Sequence, residues 1–357
     1  SRHVVSSHFA SSLCLPDTRV ASCIRLVPPL WLLSRYTCAI MASSPEQERV
    51  CDAIRSAYPG AVPKKTSVIQ SLWGGYGQIL RVKLSDCEVE SVVVKRVKPP
   101  RRTAGVDIGH DRKVKSYEVE QRFYEQYAPR LDPAVARVPR LLTSSNAVPG
   151  ETLMVMEDMD ASGFAGRGSS SAMIRWLAGF HKTFLMANPG GRPKGADDGG
   201  LWSCGGTHHL ATRPEELANL AEDDPLRIHA GDFDRLLRGA TYQTLLHGDP
   251  KSCNMCFSSK GDSCAAVDFQ YTGWGPGIVD LTYGFGLGLS PSDPLIDEYF
   301  RVLDGGPELE AEWRALLPVA EADFERFMNG WGGGGRDWRR RSNQFEEALK
   351  LARTAAK

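Results

Sequence analysis

The sequence has no apolar run close to the ~20 residues that a membrane-spanning helix needs. The longest candidate, residues 26–33, is interrupted by Pro28 and Pro29. Neither charge is in excess, because 43 Lys and Arg residues balance 43 Asp and Glu residues. We therefore expect no membrane span and no general affinity for nucleic acid.

The cysteines follow no regular framework. Nine of them occur at irregular spacing in a chain of 357 residues, and an odd, irregular set is typical of reduced thiols inside the cell. Cys253 and Cys256 form a CxxC pair, but no second pair accompanies it, so a structural zinc site is disfavoured. The sequence therefore predicts a cytoplasmic protein, or an organellar one if its first residues form a transit peptide.

The first 40 residues differ in composition from the rest of the chain. They are rich in Arg and Ser and contain one acid, Asp17, which is typical of an organelle transit peptide. Alternatively, Met41 is the native start and the preceding residues are an upstream extension. In both interpretations, residues 1–40 lie outside the folded part.

Residues 41–160 are predicted to form an N-terminal lobe built mainly of strands. Helices are expected over 46–58 and over 116–127, where Ser116 can act as the cap. Strands are predicted at residues 68–73, 79–84, 92–95, 138–142 and 152–156. Short connections favour antiparallel pairing. A solvated loop is expected for the basic residues Arg101, Arg102, Arg112, Lys113 and Lys115.

Residues 161–357 are predicted to form a larger, mainly helical C-terminal lobe. Helical periodicity occurs at residues 171–187, 212–240, 278–290, 293–303, 308–328 and 337–356. Two short strands are expected among them, at 255–257 and 265–268. The predicted fold class is α+β, with a small antiparallel-sheet lobe followed by a helical lobe.

The strongest chemical signal is a set of three oxygen-bearing side chains. Asp249 and Asn254 lie in the segment HGDPKSCN, and Asp268 begins the segment DFQ. Phosphoryl transfer needs a carboxylate that takes or orients the proton of the attacking hydroxyl, and oxygen ligands that hold Mg²⁺ on the phosphates. These residues fit the two roles, with Asp249 as base and the other two as ligands. The alternative is that Asp249 only caps a turn.

A second signal is Lys95, which ends a strand of three valines. From that position its ammonium can reach the phosphates of a nucleotide, and an acid on the next helix is expected to hold it. Glu118 and Glu120 are both available. Glu120 is favoured, because the two aromatic residues that follow it place its face toward the core.

A glycine turn is the third signal, formed by Gly74, Gly75 and Gly77. Glycine lets the backbone approach phosphates closely. The turn matches neither a dinucleotide fingerprint nor a P-loop, and a plain hairpin turn is the alternative.

The predicted strand at 152–156 is followed directly by acidic residues, a pattern that suits a nucleotide-binding hinge. Met156 is expected to pack on the adenine ring, and the backbone between Glu157 and Met159 to pair with its edge. The alternative is a strand end followed by surface acids.

The remaining His and Trp residues are predicted to have structural roles. His181 is expected in the core, and His208 and His209 in a surface loop. Trp202 and Trp274 could stack on a substrate, but simple packing is favoured for both.

Together these segments resemble the aminoglycoside phosphotransferase/choline kinase superfamily, and within it the ecdysteroid-kinase-like (CHK kinase-like) branch. The resemblance covers roughly residues 65–290. The segments that carry it are 73–77, 93–95, 116–120, 123–124, 157–159, 200–202, 210–214, 247–254, 268–271 and 277–283. The segment 204–209 departs from the aromatic stretch expected there, so the family's substrates do not transfer directly.

The resemblance implies a bilobal, protein-kinase-like fold and an ATP- and Mg²⁺-dependent phosphotransferase that acts on a small-molecule hydroxyl. It implies that Asp249 is the catalytic base. His247 and Asp280 would hold the catalytic loop. Lys251 stands two residues after the base, where many protein kinases have a phosphate-contacting lysine.

Two other functions were weighed. A nucleotide-binding pseudokinase or scaffold is disfavoured because every expected catalytic residue is present. A protein kinase is disfavoured because Gln270 replaces the glycine of Asp-Phe-Gly, and no Ala-Pro-Glu segment occurs.

Overall fold

The computed structural model describes residues 44–101, 105, 107–192, 198–286, 289–331 and 343–355. The expectations for residues 1–40 and for Arg102 lie outside these ranges. Within them, no helix is both long enough and apolar enough to cross a bilayer.

An antiparallel five-stranded sheet follows the first helix, α1 (Pro45–Ala57). Its strands are β1 (Val62–Ser71), β2 (Gly77–Ser85), β3 (Ser91–Val97), β4 (Leu141–Ser145) and β5 (Thr152–Glu157). They pair in the order β1-β2-β3-β5-β4. The predicted α+β class with an antiparallel sheet is confirmed.

The central strand β3 separates two environments because successive side chains point to opposite faces. Val92 and Val94 are buried with Val50 and Ile54 of α1. The opposite face carries Lys95 toward the next helix. One short strand therefore supplies both a hydrophobic core and a charged group for the cleft.

That next helix is α2 (Ile108–Arg122), which begins earlier than predicted. Asp107 caps it by accepting a hydrogen bond from the backbone of His110, at 2.8 Å. Ser116 is not the cap: its hydroxyl donates to the Lys113 carbonyl inside the helix, at 2.7 Å. The solvated-loop prediction is therefore wrong for the basic residues Arg112, Lys113 and Lys115, which lie on α2.

The rest of the described chain is mainly helical. Its helices are α3 (Ser170–Thr183), α4 (Pro214–Ala218), α5 (Pro225–Ile228), α6 (Ala230–Arg238), α7 (Ile278–Phe285), α8 (Pro294–Leu303), α9 (Pro307–Trp331) and α10 (Asn343–Ala355). The predicted helical stretch 212–240 is divided into three helices, because Pro214 and Pro225 each start a new one.

Short strands flank the segments that contain Asp249, Asn254 and Asp268. They are β6 (Met186–Ala187), β7 (Tyr242–Leu246), β8 (Met255–Phe257), β9 (Cys264–Ala266) and β10 (Gly273–Gly275). β7 pairs with β6 and β10, and β8 pairs with β9. β6, β7 and β10 were not predicted; β7 is almost wholly buried, so it shows no alternation of polar and apolar residues.

Buried aromatic rings join the two parts of the molecule. Phe123, just after α2, stacks on Phe269 with ring centroids 3.8 Å apart. Phe180 and Trp176 of α3 stack on each other beside them. This contact fixes the segment around Asp268 relative to α2 and α3.

The prediction of a surface loop for His208 and His209 is wrong. His208 is 3% exposed, and its ring stacks on that of Tyr283. His209 Nε2 lies 3.3 Å from Asp234 Oδ1 on α6. Thr207, just before the pair, donates its backbone N–H to the Gly248 carbonyl at 2.8 Å. The segment is therefore packed against the loop that carries Asp249.

The half-buried pair of His209 and Asp234 predicts a pH-dependent stability. Burial alone would lower the pKa of His209, but Asp234 and the Cys204 thiol outweigh it and raise the pKa from 6.5 to about 9. A raised pKa gives stability that is complete below pH 6.5 and is lost as the pH rises through 9. The rise from 6.5 to about 9 is about 2.5 pKa units, which at 1.36 kcal/mol each corresponds to roughly 3 kcal/mol.

We expect Asp234→Asn to destabilise the protein by that amount at pH 6, and by much less at pH 9.5. Denaturant unfolding of both proteins at the two pH values measures the difference. Groups that titrate equally in both proteins cancel in this comparison. An equal loss of unfolding free energy at both pH values would contradict the prediction.

Candidate active site

The loop after β7 is held by Asp280 at the start of α7. One carboxylate oxygen accepts the backbone N–H of His247 at 2.6 Å, and the other accepts that of Gly248 at 3.0 Å. The ring of buried His181 lies 3.1 Å from the same carboxylate, which agrees with the core role predicted for this residue. A Cβ on Gly248 would lie 2.1 Å from the Tyr271 carbonyl oxygen. Only glycine fits there, so the loop has one conformation.

Asp249 follows directly and is 5% exposed. Its Oδ2 accepts hydrogen bonds from Lys251 Nζ at 2.9 Å and from Asn254 Nδ2 at 3.3 Å. Its buried Oδ1 makes no hydrogen bond of good geometry among the described residues, although the Tyr283 hydroxyl is close enough to interact with the carboxylate. Burial raises the pKa of Asp249 despite the nearby ammonium of Lys251. A buried carboxylate with one oxygen free can accept a proton from a bound hydroxyl.

The β8–β9 hairpin brings Asn254 and Asp268 to the same end. Asn254 precedes β8, Val267 follows β9, and the Val267 N–H donates to the Asn254 carbonyl at 2.9 Å. The Asn254 side-chain nitrogen donates to the Asp249 carbonyl at 2.9 Å, so its Oδ1, which has only the weak Cys253 thiol as a partner at 3.9 Å, is the atom that can bind a cation. Two oxygen donors at one place fit a hard divalent cation such as Mg²⁺.

Asp268 has an uncommon backbone conformation, with φ at +70°. Burial would raise its pKa, but the ammonium groups of Lys95, Lys113 and Lys251 outweigh burial and lower the pKa. The carboxylate therefore remains ionised and available to a cation. Aspartate adopts the left-handed region more readily than most residues, so the energetic cost of this backbone conformation is small.

Lys95 lies between two acids. Its Nζ is 2.6 Å from Glu120 Oε2 and 3.4 Å from Asp268 Oδ1. Burial lowers the pKa of Lys95, but the two carboxylates more than offset it and keep the ammonium charged. Glu118, the other acid that the sequence offered, is exposed. The lysine and the acid therefore meet as expected, across β3 and α2.

The glycine turn lies between β1 and β2, at the end of the sheet where β3 carries Lys95. Gly74 and Gly75 have positive φ angles of 67° and 78°. At Gly77 a Cβ would lie 2.0 Å from the Arg96 carbonyl oxygen, so the close approach of β3 requires glycine. Tyr76 ties the turn to α2 through its hydroxyl, 2.7 Å from His110 Nδ1.

At the end of β5, Met156 is buried and the acids that follow are bound within the protein. The Glu157 side chain accepts hydrogen bonds from the Arg137 side chain and from the backbone N–H of Arg140. The backbone N–H of Glu157 donates to the Arg140 carbonyl at 2.9 Å. The Met159 carbonyl accepts from Phe164 at 2.9 Å. Among the described residues, the Met159 N–H makes no hydrogen bond, so this donor is free for a ligand.

The sequence patterns did not indicate Lys113, which also reaches the cleft. Its Nζ donates to Gln270 Oε1 at 2.8 Å, and Ser116 Oγ lies 3.1 Å from the same oxygen. Packed Trp202 holds the Gln270 carbonyl from the other side, at 2.8 Å. Burial lowers the pKa of Lys113 to about 8. If the predicted helix had begun at its actual cap, Asp107, it would have placed Lys113 two helical turns before Glu120 and therefore on the same face.

The cleft therefore combines equal numbers of acids and lysines. Its acids are Glu120, Asp249 and Asp268, and its lysines are Lys95, Lys113 and Lys251. A divalent cation on the acids would leave net positive charge for a polyanionic ligand. This arrangement suits phosphate chemistry more than the hydrolysis of an uncharged substrate.

Solved structures that match this chain include a protein assigned as a fructosamine-3-kinase from Thermobifida fusca. It is 15% identical over 87% of this chain and 97% of its own, with a TM-score of 0.48. Choline kinase from Cryptosporidium parvum is 10% identical over 87% and 94%, with a TM-score of 0.47. An aminoglycoside-3'-phosphotransferase of type VIII is 16% identical over 87% and 97%, with a TM-score of 0.37.

No curated protein matches this chain significantly. The family model of the phosphotransferase enzyme family, APH, matches residues 75–318. That range covers well over half of the chain and contains the glycine turn from Gly75 onward, Lys95, Asp249 and Asp268. The chain belongs to the phosphotransferase enzyme family.

Proposed function

We propose that the protein is an ATP- and Mg²⁺-dependent kinase that transfers the γ-phosphoryl group to a hydroxyl of a small molecule. One observation carries the proposal: Lys95 lies 2.6 Å from Glu120 and 3.4 Å from Asp268. Three segments that are distant in sequence meet there, in an arrangement that phosphoryl transfer requires. Membership of the phosphotransferase family supports it.

The nucleotide phosphates are held by Lys95, which Glu120 keeps in place, and by the backbone of the glycine turn at Gly74, Gly75 and Gly77. Asn254 and Asp268 hold Mg²⁺. The cation, when bound, neutralises phosphate charge and orients the transferred group. Asp268 is suited to this role because three lysines keep it ionised.

The adenine ring lies at the hinge after β5. The Met159 N–H, free of partners in the described part of the chain, donates to the purine edge, and the backbone carbonyl of Glu157 accepts from it. Met156 packs against the ring. The Glu157 side chain has no part in this contact, since Arg137 and Arg140 already occupy it.

Asp249 accepts or orients the proton of the acceptor hydroxyl through its free Oδ1. Its raised pKa makes the carboxylate a better proton acceptor than an exposed aspartate. Lys251, 2.9 Å from Asp249, keeps it charged before substrate binds and can then stabilise charge on the transferred group.

A small-molecule acceptor is favoured over a protein. The Gln270 side chain is bound by Lys113 and Ser116, and its carbonyl by Trp202. These bonds hold the segment after Asp268 in place, which disfavours an activation segment that switches by moving.

The complete set of site residues disfavours a pseudokinase. Within the family, we propose the ecdysteroid-kinase-like branch.

The proposal predicts different losses for the two aspartates. Asp268→Asn is expected to weaken Mg²⁺-dependent ATP binding and turnover together, because the metal loses a charged ligand. Asp249→Asn is expected to leave Mg²⁺-ATP affinity within about twofold, while turnover falls by ~10²–10⁴ as in other losses of a general base. Calorimetric titration with Mg²⁺-ATP, followed by ATP consumption with a library of hydroxylated acceptors, measures both.

Asparagine keeps the size of each side chain and tolerates positive φ, so both variants are expected to fold. Repeating the titration without Mg²⁺ provides the control, since Asp268→Asn should then resemble the wild type. Loss of nucleotide binding in Asp249→Asn alone would show that the roles are reversed. Unchanged turnover in both variants would refute the kinase proposal.

The ion pair of Lys95 and Glu120 predicts that substitutions of its two members will affect stability and turnover separately. Lys95→Ala is expected to lower turnover at least tenfold, about 1.4 kcal/mol, and also to lower the melting temperature, because Glu120 is left buried without a partner. Adding Glu120→Gln should restore part of the melting temperature without restoring turnover.

Glu118→Gln is the matched control, because Glu118 is an exposed acid on the same helix. It is expected to change neither quantity. Wild-type turnover in Lys95→Ala would remove Lys95 from the nucleotide site.

A further inference from the structure

Helix α2 carries one lysine, Lys113, into the cleft, and the proposed function gives it no contact with the nucleotide or the acceptor. Lys113 precedes Glu120 by seven residues, which is about two helical turns, so the two side chains share a face. That face looks toward the segment after Asp268, as the 2.8 Å bond from Lys113 Nζ to Gln270 Oε1 shows.

Lys113 differs from the other lysines of the cleft because it has no direct counter-ion. Lys95 pairs with Glu120 at 2.6 Å, and Lys251 with Asp249 at 2.9 Å. Within the described residues, no carboxylate oxygen lies within 4.0 Å of Lys113 Nζ. Its hydrogen bond goes to a neutral amide, and it lies 4.8 Å from the centroid of the Tyr117 ring.

A partly buried cation without a counter-ion is unfavourable unless an anion completes the site. The charges that act most strongly on Lys113 are Asp268, Lys95, Glu120 and Asp249. Lys113 is thus in the field of both the proposed metal ligand and the proposed base. The group transferred from nucleotide to acceptor must lie between those two residues.

We propose that Lys113 contacts the γ-phosphoryl group of the bound nucleotide, with a non-bridging oxygen of that group as its missing counter-ion. This inference rests on the proposed function. Gln270 is a positioning residue: its amide oxygen aims the ammonium at the site without neutralising it. Trp202 holds the backbone of Gln270 by donating its indole N–H to the Gln270 carbonyl at 2.8 Å.

In the reaction, the bond between the γ-phosphorus and the oxygen that bridges to the β-phosphate breaks, and its electron pair remains on ADP. A new bond forms from the acceptor oxygen to the phosphorus, and the hydroxyl proton passes to Asp249. Lys113 donates a hydrogen bond throughout and loses no proton. The Lys113 ammonium stabilises the negative charge on the phosphoryl group during its transfer, as cationic residues do in other phosphoryl transfers.

A structural role is the alternative, in which Lys113 only fastens α2 to Gln270. The two roles differ in nucleotide dependence. A contact to the γ-phosphoryl group distinguishes ATP from ADP, whereas loosening of α2 disturbs Lys95 and Glu120 and weakens both nucleotides alike. The ratio of the two affinities therefore separates the alternatives.

The test is Lys113→Met in the full chain, which removes the charge and keeps an unbranched side chain of similar length. The Kd values of Mg²⁺-ADP and of a Mg²⁺-bound non-hydrolysable ATP analogue are measured by calorimetry. We expect the analogue to bind about tenfold more weakly, ~1.4 kcal/mol, with ADP affinity within twofold. If Lys113→Met does not fold, Lys113→Gln is measured instead.

Lys115→Met is the matched control, because Lys115 is exposed on the same helix and lies over the Trp202 ring. It is expected to change neither affinity. Equal weakening of both ligands, or no change in either, in the Lys113 variant would overturn the inference. Wild-type protein that binds neither ligand would instead refute the proposed function, which keeps the two failures distinct.

Discussion

The geometry of the cleft depends on one buried ion pair, Lys95 with Glu120, which joins the sheet to α2. Both side chains are almost fully buried, at 3% and 2% exposure. Removing two charges from water is costly, and a close contact of 2.6 Å is needed to offset that cost. If β3 and α2 moved apart, each would carry a buried charge without a partner. The ion pair therefore specifies the relative position of β3 and α2 more than it stabilises the fold.

Other contacts follow from the position of α2 that this pair fixes. At one end of the helix, His110 meets Tyr76 of the glycine turn at 2.7 Å. Just beyond the other end, Phe123 stacks on Phe269, directly after Asp268. The helix thus connects the part of the cleft that would hold phosphates to the part that would hold the metal.

Electrostatic balance is the second constraint on the cleft. Three ammonium groups keep Asp268 ionised in a partly buried position where desolvation favours the protonated form. The catalytic loop relies on a different device: Asp280 binds two successive backbone N–H groups and holds Asp249 from behind. Because Lys95, Glu120 and Asp268 come from three separate segments, this part of the site exists only when the chain is folded.

The sequence by itself determined the strands with clear alternation and the residues within short motifs. Val92 to Lys95 predicted a buried strand that ends in a functional lysine, and the choice of Glu120 over Glu118 followed from helical spacing alone. The three oxygen-bearing side chains, Asp249, Asn254 and Asp268, were recognisable because their spacing along the chain reflects one short hairpin.

Only the tertiary structure decided which distant residues meet. Lys113 bonds to Gln270, 157 positions away, and its local sequence resembles a solvated basic loop. His209 was expected at the surface and is paired with Asp234 instead. Local patterns report which face of an element is buried, whereas a charge finds its partner only after separate elements pack, and no pattern within one element contains that information.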